Sequence, residues 1–298
     1  MSTALQELLA PTTANAALPT TTPGGYREQL KAINFLSYST RLSLHSCPRK
    51  FLLDKVTAAP EEADDNPDFL FGHSVAAGVQ SFIAHGDKDR ALLDAFLAWN
   101  GSLDTEKEKS KKIIWFALLA VIKFAAIKEA ILHNWEIALI DGKPAVELSF
   151  VVDLENGYNY LGHIDLVLVN SVTNQLMVLE LKTTSFTSVN EASYKNSDQA
   201  IGYSIVLDSL AARLKLDSKN YTVLYLIYKS GTQEFEPIPF LKTRADRATW
   251  LHDILVDCSI ADTYREQEHF PMRGESCFSF FRPCEYFGIC NLRTLTDK

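Results

Sequence analysis

Cysteine is scarce in this 298-residue chain, which has five. An odd number, beside an N-terminus with neither a basic nor an apolar leader region, argues against a disulfide scaffold of the secreted kind. We therefore expect a cytoplasmic, intracellular protein. Long apolar runs are also missing. The most apolar stretch, Ile113 to Ile122, ends at Lys123 and is too short for the roughly 20 residues a bilayer span needs. Basic charge is in deficit, with 29 Lys and Arg against 37 Asp and Glu for a net charge of -8. That balance excludes a nonspecific nucleic-acid coat protein, because phosphate binding depends on many Lys and Arg contacts. Only local basic groups remain, at Arg41, Arg49, Lys50 and Lys55 and at Lys107, Lys109, Lys111 and Lys112. The second group alternates with Glu106 and Glu108 and reads as a solvated helix start, which leaves the first group as the better candidate for a nucleic-acid path. No Gly-x-x-x-x-Gly-Lys-Ser/Thr loop and no internal repeat occur, so any ATP-driven motor would be a separate partner.

What is present suffices for a large core, since 47% of the residues are hydrophobic. Residues 1–33, rich in Thr, Pro and Gly, lack apolar periodicity and are expected to be a flexible segment. Residues 34–298 are expected to form one domain. Within it, 34–134 read as helices, 135–240 as a sheet core broken by turns such as Asp141-Gly142-Lys143, and 241–298 as a last helix and a cysteine tail. Helices, strands, a helix, two further strands and a last helix predict an α/β fold with a mixed central sheet.

Two of the predicted strands carry carboxylates where apolar residues are expected. They are Leu161-Gly162-His163-Ile164-Asp165-Leu166-Val167-Leu168-Val169 and Leu176-Met177-Val178-Leu179-Glu180-Leu181-Lys182-Thr183-Thr184. A charge in such a strand is costly without compensation. Alternation places Glu180 and Lys182 on one face, and an antiparallel hairpin through the turn-forming residues 170–175 would bring Asp165 beside Glu180. Two carboxylates with a backbone carbonyl, that of Leu181, make a hard oxygen site suited to Mg²⁺ or Mn²⁺. A nearby Lys182 could then orient an attacking water for metal-assisted phosphodiester hydrolysis. A structural ion pair between Lys182 and either carboxylate is the plainer reading of the same residues. Downstream, Gln199 and Tyr203 stand one helical turn apart and share a face.

Gly-x-x-Asp, Glu-x-Lys and Gln-x-x-x-Tyr in this order resemble the PD-(D/E)XK nuclease superfamily, and within it the RecB-like exonuclease branch. The resemblance implies metal binding by Asp165 and Glu180, catalysis by Lys182, and a DNA strand flanked by Gln199 and Tyr203. Glu147 resembles the acidic residue of the preceding strand in that branch, although a solvated edge glutamate fits it equally. The branch has a helix reading Phe-Gly-x-x-x-His. Here Phe71-Gly72-His73-Ser74-Val75-Ala76 places Ala76 at the histidine position, with His73 one turn earlier as a substitute ligand.

Cys47, Cys277, Cys284 and Cys290 form the second constellation. Four thiolates can hold a four-iron cluster or a zinc ion, and spacing does not separate the two; cysteines can also be small buried hydrophobes. One cysteine before the core and three after it resemble the iron-sulfur members of the branch, the AddB-type and CRISPR-associated exonucleases. The resemblance implies a 4Fe-4S cluster rather than zinc. Those members often show Cys-x-x-Cys-x5-Cys, whereas six residues separate Cys277 from Cys284 here. Cys258 falls in step with Leu251, Ile254 and Leu255 and reads as core.

Taken together, the resemblance implies a Mg²⁺- or Mn²⁺-dependent DNA exonuclease acting on single strands or DNA ends in recombination, repair or end processing. It also implies a phage-type enzyme with a recombination, single-strand-annealing or motor partner and no membrane association. Two alternatives stand beside it: a noncatalytic DNA-binding or assembly subunit that keeps the fold, and an endonuclease of the same superfamily.

Overall fold

The computed structural model describes residues 33–56, 67–101, 103, 111–216, 219–279 and 282–290. The expected flexible segment, apart from Ile33, and the basic residues Lys107 and Lys109 lie outside the described residues. The chain begins with β1 (Phe35–Leu36), α1 (Tyr38–Ser46), α2 (Pro48–Val56), α3 (Pro67–His85), α4 (Lys88–Ala98) and α5 (Ile114–Ile131). Strands β2 (Trp135–Ile137), β3 (Leu139–Ile140), β4 (Lys143–Pro144), β5 (Val146–Asp153), β6 (Asn159–Asn170) and β7 (Leu176–Thr184) follow. Next come α6 (Glu191–Lys195), α7 (Asp198–Leu214), β8 (Tyr221–Lys229), β9 (Glu234–Lys242) and α8 (Arg244–Glu266). The tail holds β10 (Phe278–Ser279), β11 (Arg282–Pro283) and α9 (Phe287–Cys290).

Two compact units emerge. Among the described residues, one comprises 35–39 and those from 67 to 260, the other 33–34, 40–56 and those from 261 to 290. In the first, the sheet runs β1-β6-β7-β8-β9, with β2 and β5 also on β6. Pairing of β7 with β8 is parallel, and that of β6 with β7 and of β8 with β9 is antiparallel, so the sheet is mixed as predicted. The run Val223 to Tyr228 is buried throughout because this central strand has neighbours on both edges and apolar layers on both faces. One face packs Ile164, Val167, Val178 and Val223 against Tyr203, Val206 and Leu207 of α7. The other packs Leu166, Leu168, Met177 and Leu179 against Phe71, Val75 and Val79 of α3 and Phe124 of α5. Local chemistry sets several boundaries. The Asp87 carboxylate accepts from the Asp89 and Arg90 N–H groups at 2.9 and 3.2 Å and caps α4. Lys215, at φ 57°, ends α7 in the left-handed region.

The second unit joins residues 40–56 to residues 261–290. Pro48 opens α2 and separates it from α1 at Cys47, since its ring supplies no backbone donor and favours a first helical position. Arg49 donates from its backbone N–H to the Pro271 carbonyl and from Nε to the Phe270 carbonyl, both at 3.1 Å. The Ser276 hydroxyl donates to the Ser46 carbonyl at 2.7 Å, and Lys50 pairs with Glu285 at 2.8 Å. Phe51 stacks on Phe270 with ring centroids 6.3 Å apart. No described helix is long and apolar enough to cross a membrane.

Candidate active site and cysteine cavity

A cleft of about 380 Å³ opens in the first unit between the start of α3, the middle of β6 and the C-terminal half of β7. Its walls include His73, Ala76, Glu147, Asp165, Glu180 and Lys182. The backbone places the carboxylates there by interrupting the ladder. On one edge of β6, β1 pairs with Asn159 and Tyr160, and β7 pairs only with Leu166 to Val169. In the gap between them the Asp165 carboxylate accepts the Leu181 backbone N–H at 2.8 Å. A strand residue projects its N–H and C=O to the same edge, so the Leu181 carbonyl faces this gap too. Alternation also breaks here, since Ile164 and Val167 face the α7 side and Leu166 and Leu168 the α3 side.

Glu180 is the most buried carboxylate of the group, 3% exposed. Its Oε1 accepts from Lys182 Nζ at 2.7 Å and from Gln199 Nε2 at 2.8 Å. The same Gln199 nitrogen donates to the Tyr203 hydroxyl oxygen at 2.8 Å. Gln199 thus fixes Glu180 and Tyr203 with both amide hydrogens, leaving its own oxygen for any substrate contact. Glu180 Oε2 is buried without a hydrogen-bond partner, a costly arrangement for a carboxylate oxygen unless a cation meets it.

Electrostatics follow from this crowding. Burial, and then the neighbouring charge of Glu180, push the Asp165 carboxyl up to about 7. Burial also raises Glu180, with Lys182 and Gln199 opposing it. Burial pulls the Lys182 ammonium down, but the contact with Glu180 overcomes it and the net shift is upward. In the metal-free protein the Lys182 ammonium therefore donates to Glu180. Burial likewise holds Tyr203 as the phenol.

Glu147 is exposed and adopts φ 47°, and its Oε1 accepts from Gln80 Nε2. His73 is exposed and stacks on Phe69, with ring centroids 6.1 Å apart. Among the described residues, no three His, Cys, Asp or Glu side chains are drawn together as a finished metal site.

The four cysteines all belong to the second unit. Cys47, Cys277, Cys284 and Cys290 line one small cavity of about 20 Å³ with Lys50, Met272 and Tyr286, and all four are free thiols. The six-residue interval is explained by a hairpin. Phe278 pairs with Pro283 and Ser279 with Arg282, so Cys277 and Cys284 lie opposite each other at its base, where the Cys284 N–H donates to the Cys277 carbonyl at 2.7 Å. Cys258, by contrast, is buried in the first unit at 1% exposure beside Ile254, whereas Leu251 and Leu255, read as sharing its face, are exposed at 38% and 39%.

Sequence reasoning overlooked Gln80 and the kink at Glu147. An amide between Val79 and Ser81 in a largely apolar helix was the available signal. It also read the first basic group as a DNA path. The structure instead buries Arg41 at 3% exposure, ties Arg49 to Phe270, pairs Lys50 with Glu285, and sets Lys55 Nζ 5.8 Å from the centre of the Phe51 ring.

Comparisons with known proteins place this geometry in context. No curated protein matches the chain. A solved structure named "Putative exonuclease" from Eubacterium rectale is similar at 14% identity and TM-score 0.48, over 88% of this chain and 95% of its own. A second, SSO0001, is similar at 12% identity and TM-score 0.32, over 89% and 93%. The model of one family matches residues 36–291. A match of that extent covers the cleft with Glu147, Asp165 and Glu180 and all four cysteines of the cavity, and the chain belongs to the PD-(D/E)XK nuclease superfamily.

Proposed function

We propose that this protein is a divalent-metal-dependent DNA exonuclease of the RecB-like branch, with DNA ends or single strands as substrate and a role in recombination, repair or end processing. The observation that carries the reading is Glu180 Oε2, a buried carboxylate oxygen without a donor, beside a second carboxylate, Asp165, whose pKa burial and the Glu180 charge both raise. This donor set suits a hard cation. Asp165, Glu180 and the Leu181 carbonyl would hold Mg²⁺ or Mn²⁺, with Glu147 and His73 at the margin of the same cleft. Bound there, the cation would stabilise charge on the phosphoryl oxygens and ease deprotonation of water.

The chain's own groups supply the rest. Lys182 holds Glu180 in orientation and presents a fixed positive charge to the developing phosphorane charge. Gln199 locks the opposite side of Glu180 and carries Tyr203 as a neutral phenol beside the path of the scissile strand. Preference for ends and for DNA rests on the resemblance of the Gly-x-x-Asp, Glu-x-Lys and Gln-x-x-x-Tyr runs, and with it the phage-type setting and an annealing or motor partner.

The convergence of Cys47, Cys277, Cys284 and Cys290 supports a 4Fe-4S cluster, for which four thiolates are the usual ligands. The cavity as it stands has room for about one water, so loading would require it to widen. Zinc is the competing occupant. An anaerobic preparation with broad visible absorbance and about four irons supports the cluster. A colourless protein with one zinc overturns it.

Degradation of end-labelled linear DNA and closed circular single-stranded DNA, with Mg²⁺, Mn²⁺ or EDTA and with Lys182→Ala as control, tests the activity. Metal-dependent loss of linear DNA alone is expected. Cleaved circles would make the protein an endonuclease, and no cleavage with any metal would make it a noncatalytic subunit.

A further inference from the structure

We propose that Gln80 is a positioning residue that sets Glu147 as a third carboxylate arm of the cation site, an inference that rests on the metal-dependent reading of the cleft. Three observations converge on it. Glu147 has φ 47° inside a strand, a conformation that costs a residue with a Cβ about 1–2 kcal/mol. On the paired strand, Val146 is opposite Leu166 and Leu148 opposite Ile164, while the intervening Glu147 and Asp165 drop out of the pairing. Val146 packs on the α3 side of the sheet and Leu148 on the α7 side, so the kink falls at Glu147 itself. A regular strand would send both apolar neighbours one way and Glu147 the other. The kink instead leaves Glu147 on the wall of the cleft that Asp165 and Glu180 share.

Gln80 anchors that arrangement from the helix. It lies one turn beyond Ala76 and two beyond Gly72 on the face of α3 that borders the cleft. Its side chain is 7% exposed, and Nε2 donates to Glu147 Oε1. An amide suits the task. A lysine at this place would neutralise Glu147 and weaken its pull on a cation, and a carboxylate would repel it. A neutral donor fixes one oxygen and leaves the charge intact for the other. Supporting contacts of this kind are commonly worth about 10- to 100-fold in metal affinity.

Equilibrium titration of the DNA-free protein with Mn²⁺, read by calorimetry and by loss of the free-ion paramagnetic resonance signal, tests the proposal. Gln80→Ala and the volume-conserving Gln80→Met are expected to weaken binding about tenfold or more. In a Glu147→Gln background the same substitutions are expected to add nothing, because Gln80 acts through Glu147. Unchanged Mn²⁺ affinity in Gln80→Met, or a loss that persists undiminished in the Glu147→Gln background, would overturn the proposal. Asp165→Asn separates the two readings. If it abolishes binding while Gln80→Met does not, the cation site stands and the role of Gln80 falls; if the unsubstituted protein binds no Mn²⁺, both fall.

Discussion

Lys182 Nζ and Gln199 Nε2 converge on the same oxygen of Glu180, at 2.7 and 2.8 Å, and leave its other oxygen buried and bare. The asymmetry makes Lys182 both a structural partner and a functional one. Lys182→Ala is expected to lower the nuclease rate about 10²- to 10³-fold. It is also expected to destabilise the metal-free protein by about 2 kcal/mol. That figure is reduced from the roughly 3–5 kcal/mol of a fully buried pair because the Lys182 side chain is 36% exposed. Single-turnover kinetics and denaturant melts in EDTA measure the two effects separately. Unimpaired cleavage by the variant would remove Lys182 from the reaction.

Asp165 provides a pH signature. Its folded pKa, about 7, lies above the unfolded value of about 3.9, so the folded metal-free protein binds the extra proton in between. The stability linked to that proton is fully present below about pH 4 and is lost as pH rises through about 7. Glu180, also raised, adds in the same direction. Thermal melts in EDTA should therefore give a lower Tm at pH 8 than at pH 5, and added Mg²⁺ or Mn²⁺ should recover more at pH 8.

Asp165→Asn keeps an acceptor for the Leu181 N–H but removes the like charge. Relief of about 1–2 kcal/mol would raise the EDTA Tm at pH 8 by about 2–6 °C in a chain of this size, flatten the pH dependence and abolish cleavage. A lower metal-free Tm in this variant would contradict the account of a frustrated carboxylate pair.

Gly202 stands between Gln199 and Tyr203 in α7, and a Cβ there would lie 2.3 Å from the Tyr160 hydroxyl oxygen and 3.0 Å from Trp250. Both rings are buried, at 1% and 2% exposure, and have little room to yield. Gly202→Ala should cost about 1–3 kcal/mol, the usual range for an overpacked core. By lifting α7 off β6 it should also weaken DNA binding, measurable by fluorescence anisotropy with Ca²⁺ in place of the catalytic ion. A variant with unchanged melting would show that the helix can shift without loss.

Cys284→Ala is expected to abolish the visible absorbance and iron content of an anaerobic preparation, and Cys258→Ala to leave both unchanged. Loss of iron in Cys258→Ala would move the cluster away from the cavity lined by the other four.

The order of elements was legible because the strongest patterns were long. The apolar run Tyr221–Lys229 forms one unbroken strand, and the Gln199 helix spans Asp198–Leu214. The same patterns pointed to Asp165, Glu180, Lys182, Gln199 and Tyr203, which the fold gathers in one place. The rest was hidden because it depends on departures from regular geometry. Glutamate is not a residue that announces a positive φ, so nothing at Glu147 signalled the kink. The antiparallel register expected between Asp165 and Glu180 stops at Leu166 opposite Leu179, and Asp165 reaches a backbone N–H instead. The basic residues of the first group were misread because charge in a sequence does not show whether the side chain is held by a carbonyl or a carboxylate.

The hairpin at the cysteine cavity changes what separation along the chain means for this protein. An antiparallel hairpin can grow or shrink by two residues at a time while its base stays closed. The approach of Cys277 to Cys284 is therefore insulated from the length of the chain between them. Relatives with two, six or ten intervening residues could carry the same thiol pair, and a sequence pattern that fixes the interval would divide into separate groups chains that share one arrangement.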